Sequence, residues 1–195
     1  FGYATATDIM VSDHNWQFFA KPTETAPPMI VPRRKVTGGS SAINGQVFLR
    51  GVPEDYDSWA AMGNDEWSFP KLIPYLRRIE TDTDFPDDDF HSSEGPIIAR
   101  RFKRQELLPD QVAFHQACLD AGFADTPDHN HPEASGVGLV PFNNPNGIRF
   151  STALGYLSPA RHHVNLTIRS NCMTRRVIFD GSKAVANVSR WRVSK

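Results

Sequence analysis

The stretch RRKVTGGSSAINGQVFLRG, residues 33–51, sets two adjacent glycines and two serines ahead of a hydrophobic run. Two residues without Cβ free the backbone to turn its N–H groups outward, and serine hydroxyls add further donors. A helix starting near Ser40 would contribute the positive end of its dipole, so a phosphate has a physical reason to bind there. On these grounds alone a plain tight turn explains GGSS equally well. Nor is the stretch a dinucleotide fingerprint, because G-x-G-x-x-G after a first strand is found nowhere in the chain.

The rest of the chain narrows the choice. Its 195 residues are enough for one domain with a sizeable core, or a domain with an appendage. A net charge of −1 gives no electrostatic case for nucleic acid or an anionic membrane. No apolar run reaches the ~20 residues that span a bilayer, and no signal peptide is visible. Cys118 and Cys172 make neither a metal pattern nor a disulfide framework, and a cytoplasmic location is the expectation. Fifteen prolines and thirteen glycines predict many loops and short elements. Thirteen Phe, four Trp and four Tyr supply the area that anchors such loops.

Along the chain, NWQFFAKP reads as a short strand closed by Pro22, and residues 26–29 as a loop. Residues 41–49 are apolar or small, and periodicity does not decide between helix and strand. VPEDYDSWAAMG is a helix with Pro53 in its first turn, Glu54 and Asp55 on the dipole, and Gly63 as its stop. A second helix follows Ser68 as N-cap, and Pro74 should kink or divide it. TDTDFPDDDF reads as a solvated acidic loop and GPIIARR as a strand. ELLPDQVAFHQACLDAGF is the clearest helix, with Leu108, Val112, His115 and Leu119 on one face and Gly122 at its end. STALGYL is helical. NLTIR and MTRRVIFDGSKAVANV read as strands, the latter turning at Asp180-Gly181.

Other chemical candidates are poorer. DHNHPE, residues 128–133, offers His129 and His131 between carboxylates, but lacks the supporting ligand spacing of a metal centre and reads as a polar loop. Adjacent His162 and His163 diverge in any regular element. His115 lies on an apolar face and reads as a satisfied core histidine. Ser40 and Ser41 are outside any G-x-S-x-G elbow. The NLT and NVS triplets sit in predicted strands of a chain without an export signal, and chance explains them. No metal is expected.

Read in full, the region resembles the glucose–methanol–choline (GMC) family of flavin oxidoreductases, choline dehydrogenase-like members included. RKVTGGSSAINGQVFLRG follows that family's first signature. DYDSWAAMGNDEWSFPKLIPYLRRIE, HSSEGPI, GIRFSTALGYLSPAR and NLTIRSNCMTRRVIFDG follow its later segments in order, over nearly the whole chain. Thr37 stands where leucine or valine is usual, Arg34 replaces a leading glycine, and Ser92 replaces a common glycine.

The resemblance implies an α+β chain, a fragment of a two-domain enzyme joining a Rossmann-like FAD-binding domain to a substrate domain. Residues 1–65 would be the FAD-covering region, 66–150 part of the substrate domain, and 151–195 a return to FAD-domain strands. It assigns Gly38, Gly39, Ser40 and Ser41 to the loop on the FAD pyrophosphate and ribityl chain. Asn44, Gly45, Gln46 and Val47 would pass beside the isoalloxazine ring, and Thr174 would meet the adenine. Ile43 occupies a position where some members carry a flavin-linked histidine, so FAD would be non-covalent there. The implied reaction is oxidation of a small-molecule alcohol, with hydride passing to the flavin. The implied catalytic histidine and the dinucleotide clamp fall outside these residues. The chain then reads as an internal piece, inactive alone, whose partners are the remaining N- and C-terminal portions of the enzyme. A cyanohydrin-cleaving lyase and a non-catalytic interaction segment without FAD are the alternatives.

Overall fold

The computed structural model describes residues 12–191, and the first strand expectation falls within them. The chain divides into two compact units, one ending at Pro159 and the other beginning at Ala160. The mixture of short helices and strands matches the expected α+β class.

In the first unit, β1 (Phe18–Ala20) pairs antiparallel with β2 (Met29–Val31). The undecided segment after it is neither helix nor strand throughout. A single 3₁₀ turn covers Gly39–Ala42, and the chain beyond is irregular, with one isolated bridge from Val47 to Phe142. Helix α1 (Pro53–Ala61) starts at its proline with Glu54 and Asp55 in the first turn, and the Val52 N–H donates to the Asp55 carboxylate at 3.3 Å. Gly63, at φ 96°, lets the chain leave it.

Helix α2 (Phe69–Ile79) runs unbroken through Pro74, against the expected kink. Pro74 lies close to the helix start, and the bond its missing N–H forgoes is to Pro70, in the first turn. Ser68 holds the N-cap position, but its side chain makes no cap bond. Asp57 of α1 does so instead, accepting the Phe69 N–H at 2.9 Å. Tyr56 packs on Phe69, and Trp59 meets both Tyr56 and Trp67 edge-on, so aromatic contacts hold the two helices together.

Strand β3 (Glu80–Asp82) continues directly from α2 and pairs parallel with β4 (Ile97–Arg101), which pairs antiparallel with β5 (Pro141–Phe142). Gly95 makes the β3 approach close: a Cβ there would lie 2.3 Å from the Glu80 nitrogen. Helix α3 (Pro109–Asp120) presents Val112, His115 and Leu119 inward as expected, and Gly122 follows at φ 91°. Leu108 is 61% exposed and does not join that face, because it precedes the first helical turn. STALGYL forms a π-helical turn over Ala153–Leu157.

Among the described residues the buried apolar side chains include Phe69, Ile97, Ala99 and Pro141, whereas Glu80, Asp82, His91, Arg101 and Asp128 are buried charged or titratable groups. The centre of the first unit is therefore largely polar. Apolar side chains such as Tyr75, Phe114 and Phe123 remain exposed.

The second unit is a hairpin of β6 (Cys172–Asp180) and β7 (Lys183–Trp191), with Gly181 at φ 57° in the turn. The register shifts between Thr174 and Arg176 and again between Ile178 and Phe179. Residues 165–169, expected as a strand, form none. Among the described residues their backbone forms no ladder with the hairpin, whose two strands pair with each other alone. The NLT triplet consequently lies outside any strand, while Asn187 of NVS is in β7. No helix among the described residues is long and apolar enough to cross a membrane.

Candidate functional site

The GGSS loop is built by positive φ at two successive positions, 89° at Gly38 and 56° at Gly39. L-residues with a Cβ visit that region at a cost, which explains the paired glycines. Gly38 is also held close to the chain entering the π-helical turn. A Cβ there would meet the Ala153 Cβ at 3.2 Å. At Gly39 the same construction meets none of the described residues within 4 Å, so among them the loop has open space on that side.

Ser41 is a clip and faces inward. Its hydroxyl donates to the Gly38 carbonyl at 2.6 Å and accepts the Thr152 N–H at 3.0 Å. The Thr152 hydroxyl also donates to the Gly38 carbonyl, at 3.3 Å. Ser40 is exposed, and its carbonyl accepts the N–H groups of Ile43 and Asn44. The two serines that look alike in sequence thus differ: Ser41 fastens the loop and Ser40 remains outside.

Residues 44–50 run from this loop along β5. The Asn44 side chain accepts the Gln46 N–H at 3.2 Å and an Arg149 guanidinium N–H at 2.9 Å. Gly45 is exposed, with nothing within 4 Å of a built Cβ. Gln46 adopts φ 66°, a strained state for a residue with a side chain. Two neighbours hold it: its carbonyl accepts the Asn143 N–H at 2.8 Å, and its side-chain oxygen accepts from Asn144 at 2.9 Å. Val47 bridges Phe142 and is 48% exposed. Thr174 lies in the hairpin unit, its hydroxyl 3.1 Å from that of Ser189.

The segment ends in a buried ionic cluster. The Arg50 N–H donates to Asn130 Oδ1 at 2.9 Å, and Asn130 returns a bond to the Phe48 carbonyl at 3.0 Å. The Arg50 guanidinium donates to the Phe90 carbonyl at 2.7 Å and forms an ion pair with Glu80. Glu80 Oε1 also lies 2.8 Å from His91 Nδ1, and Asp128 Oδ2 lies 2.8 Å from His91 Nε2. Arg101 forks between Asp82, at 2.9 and 3.0 Å, and Asp128. Its main-chain N–H donates to Asp84 at 2.6 Å, and Lys103 pairs with the same carboxylate.

Burial alone would push the His91 ring down, but its hydrogen bonds to Asp128 and Glu80, with their charges, raise it to about 9. Burial would likewise raise Asp128. The bond from His91, the Asn130 N–H and the Arg101 charge outweigh it and hold that carboxyl well below the usual range. Asp84 is also lowered: burial opposes ionisation, but Lys103 and Arg101 overcome it.

Glu80, Asp82 and His91 place three metal-type donor atoms within 4.8 Å of one another. Two guanidinium groups already face these carboxylates, Arg50 on Glu80 and Arg101 on Asp82. His129 and His131, weighed in sequence for metal, are not in that group. His131 stacks edge-on to Phe90 and accepts the Glu133 N–H at 3.2 Å. His162 and His163 stack on each other at 4.4 Å instead of diverging, because their segment forms a turn and not a regular element. His115 pairs through Nε2 with Asp125 at 3.2 Å.

Sequence reading missed this cluster. TDTDFPDDDF was expected to be solvated, yet Asp82 is fully buried in β3, where Arg101 neutralises it. DHNHPE was read as a polar loop, yet its Asp128 and Asn130 turn inward. The available signal was the strand period of IIARR, which sets residue 101 on the same face as Ile97 and Ala99, and the structure buries all three.

The GMC oxidoreductase family profile matches residues 12–191. A GMC-type oxidoreductase of Rhodococcus erythropolis, itself uncharacterised, is 38% identical over 176 residues, 89% of this chain and 34% of that protein. The oxygen-dependent choline dehydrogenase of Escherichia coli K12 is 37% identical over 186 residues, 93% of this chain and 33% of its own length. Among solved structures, pyridoxine 4-oxidase from Mesorbium loti superposes with TM-score 0.87 at 24% identity, over 97% of this chain and 38% of that one. A formate oxidase gives 0.80 at 21% identity, over 96% and 34%. At those identities the two structures speak for the fold, and the chain spans about a third of the length of the relatives it matches. The chain belongs to the GMC oxidoreductase family.

Proposed function

We propose that the chain is the flavin-covering segment of an FAD-dependent oxidoreductase acting on the CH–OH group of a small alcohol. The observation that carries this reading is the loop of residues 38–47. Gly38 is left-handed and packed tightly on Ala153, while the built Cβ positions of Gly39 and Gly45 meet open space. A cofactor fits against such a backbone, and a side chain at either glycine would intrude on it. Choline dehydrogenases among the relatives, at 36% and 37% identity, favour an alcohol as substrate class.

In this reading Gly38, Gly39 and Ser40 lie against the FAD phosphate region, and residues 44–47 beside the flavin ring. Ser41 keeps the loop closed onto Thr152, and Asn143 and Asn144 hold Gln46 in its strained conformation. Ile43 has no group able to link covalently to the flavin. Thr174 supplies backbone to the adenine end. Residues 1–65 and 151–195 then serve the cofactor, and 66–150 the substrate side. When bound, FAD supplies the hydride acceptor; the residues of this chain position it and exclude water. No residue of this chain is assigned the proton transfer, and the chain alone is expected not to turn over.

The test is to purify this chain and a longer product that includes its flanking coding sequence. The chain alone should be colourless. The longer product should carry FAD and lose its oxidised flavin band when a primary alcohol is added without oxygen. A longer product lacking flavin, or holding flavin that no alcohol reduces, rejects the reading.

A further inference from the structure

The buried cluster contains three carboxylates, Glu80, Asp82 and Asp128, facing two guanidinium groups, Arg50 and Arg101. One more positive charge makes it neutral, and His91 is the group in position to carry it. Both ring nitrogens face carboxylate oxygens at 2.8 Å, and Nδ1 also lies 3.3 Å from Asp82. A neutral imidazole has a single N–H and would turn a lone pair toward one of these carboxylates. Only the doubly protonated ring donates on both sides. Its side chain is fully enclosed, so water cannot substitute for the missing donor.

The cluster is also mechanically linked to residues 44–50. His91 fixes Glu80, which pairs with Arg50, the last residue of that segment. On its other side the ring fixes Asp128, which accepts the Asn130 N–H at 2.9 Å. Asn130 in turn bonds both the Arg50 N–H and the Phe48 carbonyl. Two routes therefore lead from one imidazole to the same stretch of backbone. The remaining charged or titratable groups close to it are Asp84, paired with Lys103 and Arg101, and Arg77, which donates to the His91 carbonyl at 2.6 Å. Phe85 covers one face of the ring.

We propose that His91, held as an imidazolium, is a positioning residue that sets the flavin-facing segment of residues 44–50 through Glu80–Arg50 and Asp128–Asn130. The inference rests on the flavin reading for the purpose of that segment, but the linkage itself does not. Loss of the ring proton leaves the cluster with a net negative charge and one unanswered carboxylate. The Arg50 N–H and the Phe48 carbonyl then lose their bonds to Asn130, whereas the Phe48 N–H keeps its own bond to the Pro141 carbonyl at 2.9 Å.

Two measurements on this 195-residue chain test it, without flavin. Nitrogen NMR of the imidazole should find both His91 nitrogens protonated at neutral pH, with deprotonation near 9. A bare ring nitrogen at neutral pH overturns the proposal. Hydrogen exchange, corrected for its intrinsic pH dependence, should show protection of the Arg50 amide, which donates to Asn130, falling at least about tenfold with the same midpoint, while the Phe48 amide, bonded to Pro141, falls less. The β6–β7 hairpin amides should keep theirs. Protection that does not change with the ring, or changes equally in the hairpin, overturns it as well. In His91→Gln the Arg50 amide should be poorly protected at every pH. If that variant does not fold, the two wild-type titrations decide alone. A failed FAD test leaves these outcomes standing, and FAD binding with an uncoupled ring sinks only the inference about His91.

Discussion

The ionic cluster and the glycine loop are both polar, adjoin along one stretch of backbone, and solve opposite problems. In the cluster, full charges are taken out of water and answered by other charges: Arg101 by Asp82 and Asp128, Arg50 by Glu80, His91 by Glu80 and Asp128. In the loop no charge is buried, and the backbone beside Gly39 and Gly45 is left open. The first arrangement is rigid because removing any member strands its partner in a medium of low dielectric. The second is permissive because no described residue lies against Gly39 or Gly45 where a Cβ would stand. Under the proposed flavin reading, a site that receives a ligand rests on one that admits none.

The strongest way to break this contrast is to remove a charge from the cluster. Arg101→Met leaves Asp82 and Asp128 without their guanidinium, and the loss should be about 3–5 kcal/mol, as for other buried pairs deprived of one partner. Urea unfolding of the chain measures it. A loss below about 1 kcal/mol, the value of an exposed pair, would mean that the cluster is solvated and the contrast false.

Protons sharpen the same point. The His91 ring is raised in the folded chain from its ordinary 6.5 to about 9, so its contribution is complete below about 6.5. That contribution declines as pH rises and is gone above about 9. The loss over that window amounts to about 3 kcal/mol from this group. Asp128 has the opposite sign: it is lowered, so its contribution is present at neutral pH and lost in acid. Stability followed by denaturant titration from mildly acid to alkaline pH should therefore fall on the alkaline side, and His91→Gln should flatten that limb. An unchanged limb in the variant would assign the fall to another group.

Much of the loop was legible in the sequence and little of the cluster was. GGSS carries its own reason, since two adjacent glycines mark a backbone that no other residue follows cheaply, and the structure gives both positive φ. Helix α1 was equally legible because Pro53, Glu54 and Gly63 are local signals acting on their own neighbours. Asp82, His91 and Asp128 carry no such signal. Each is partnered by a residue at least nine positions away, and a lone acidic residue in a polar run looks solvated until its partner is placed. The cap of α2 failed for the same reason: Ser68 is adjacent in sequence, but Asp57 arrives from another helix. The strand expected at residues 165–169 fails for a different reason. Its β-branched residues suit a strand, but no partner edge is offered to it.

Within the loop, graded substitutions separate closure from reception. Gly38→Ala combines φ 89° with a Cβ 3.2 Å from that of Ala153, and should cost about 1–2 kcal/mol in thermal or urea unfolding. Ser41→Ala removes the acceptor of the Thr152 N–H and one bond to the Gly38 carbonyl, worth about 1 kcal/mol.

The smallest effect on stability is the most informative about reception. Gly45 has no positive φ to protect, and a Cβ built there meets no atom within 4 Å. Gly45→Ala should therefore leave unfolding within about 0.5 kcal/mol of the wild type. If the open space is where flavin lies, the same methyl group should weaken FAD binding by about tenfold, equivalent to about 1.4 kcal/mol, in flavin-fluorescence titrations of the longer product. The contrast with Gly38→Ala carries the argument, since that variant damages the loop before any ligand arrives. Unchanged FAD affinity in Gly45→Ala would move the flavin away from residue 45. An unfolding loss as large as that of Gly38→Ala would mean the space beside the loop is already filled by protein.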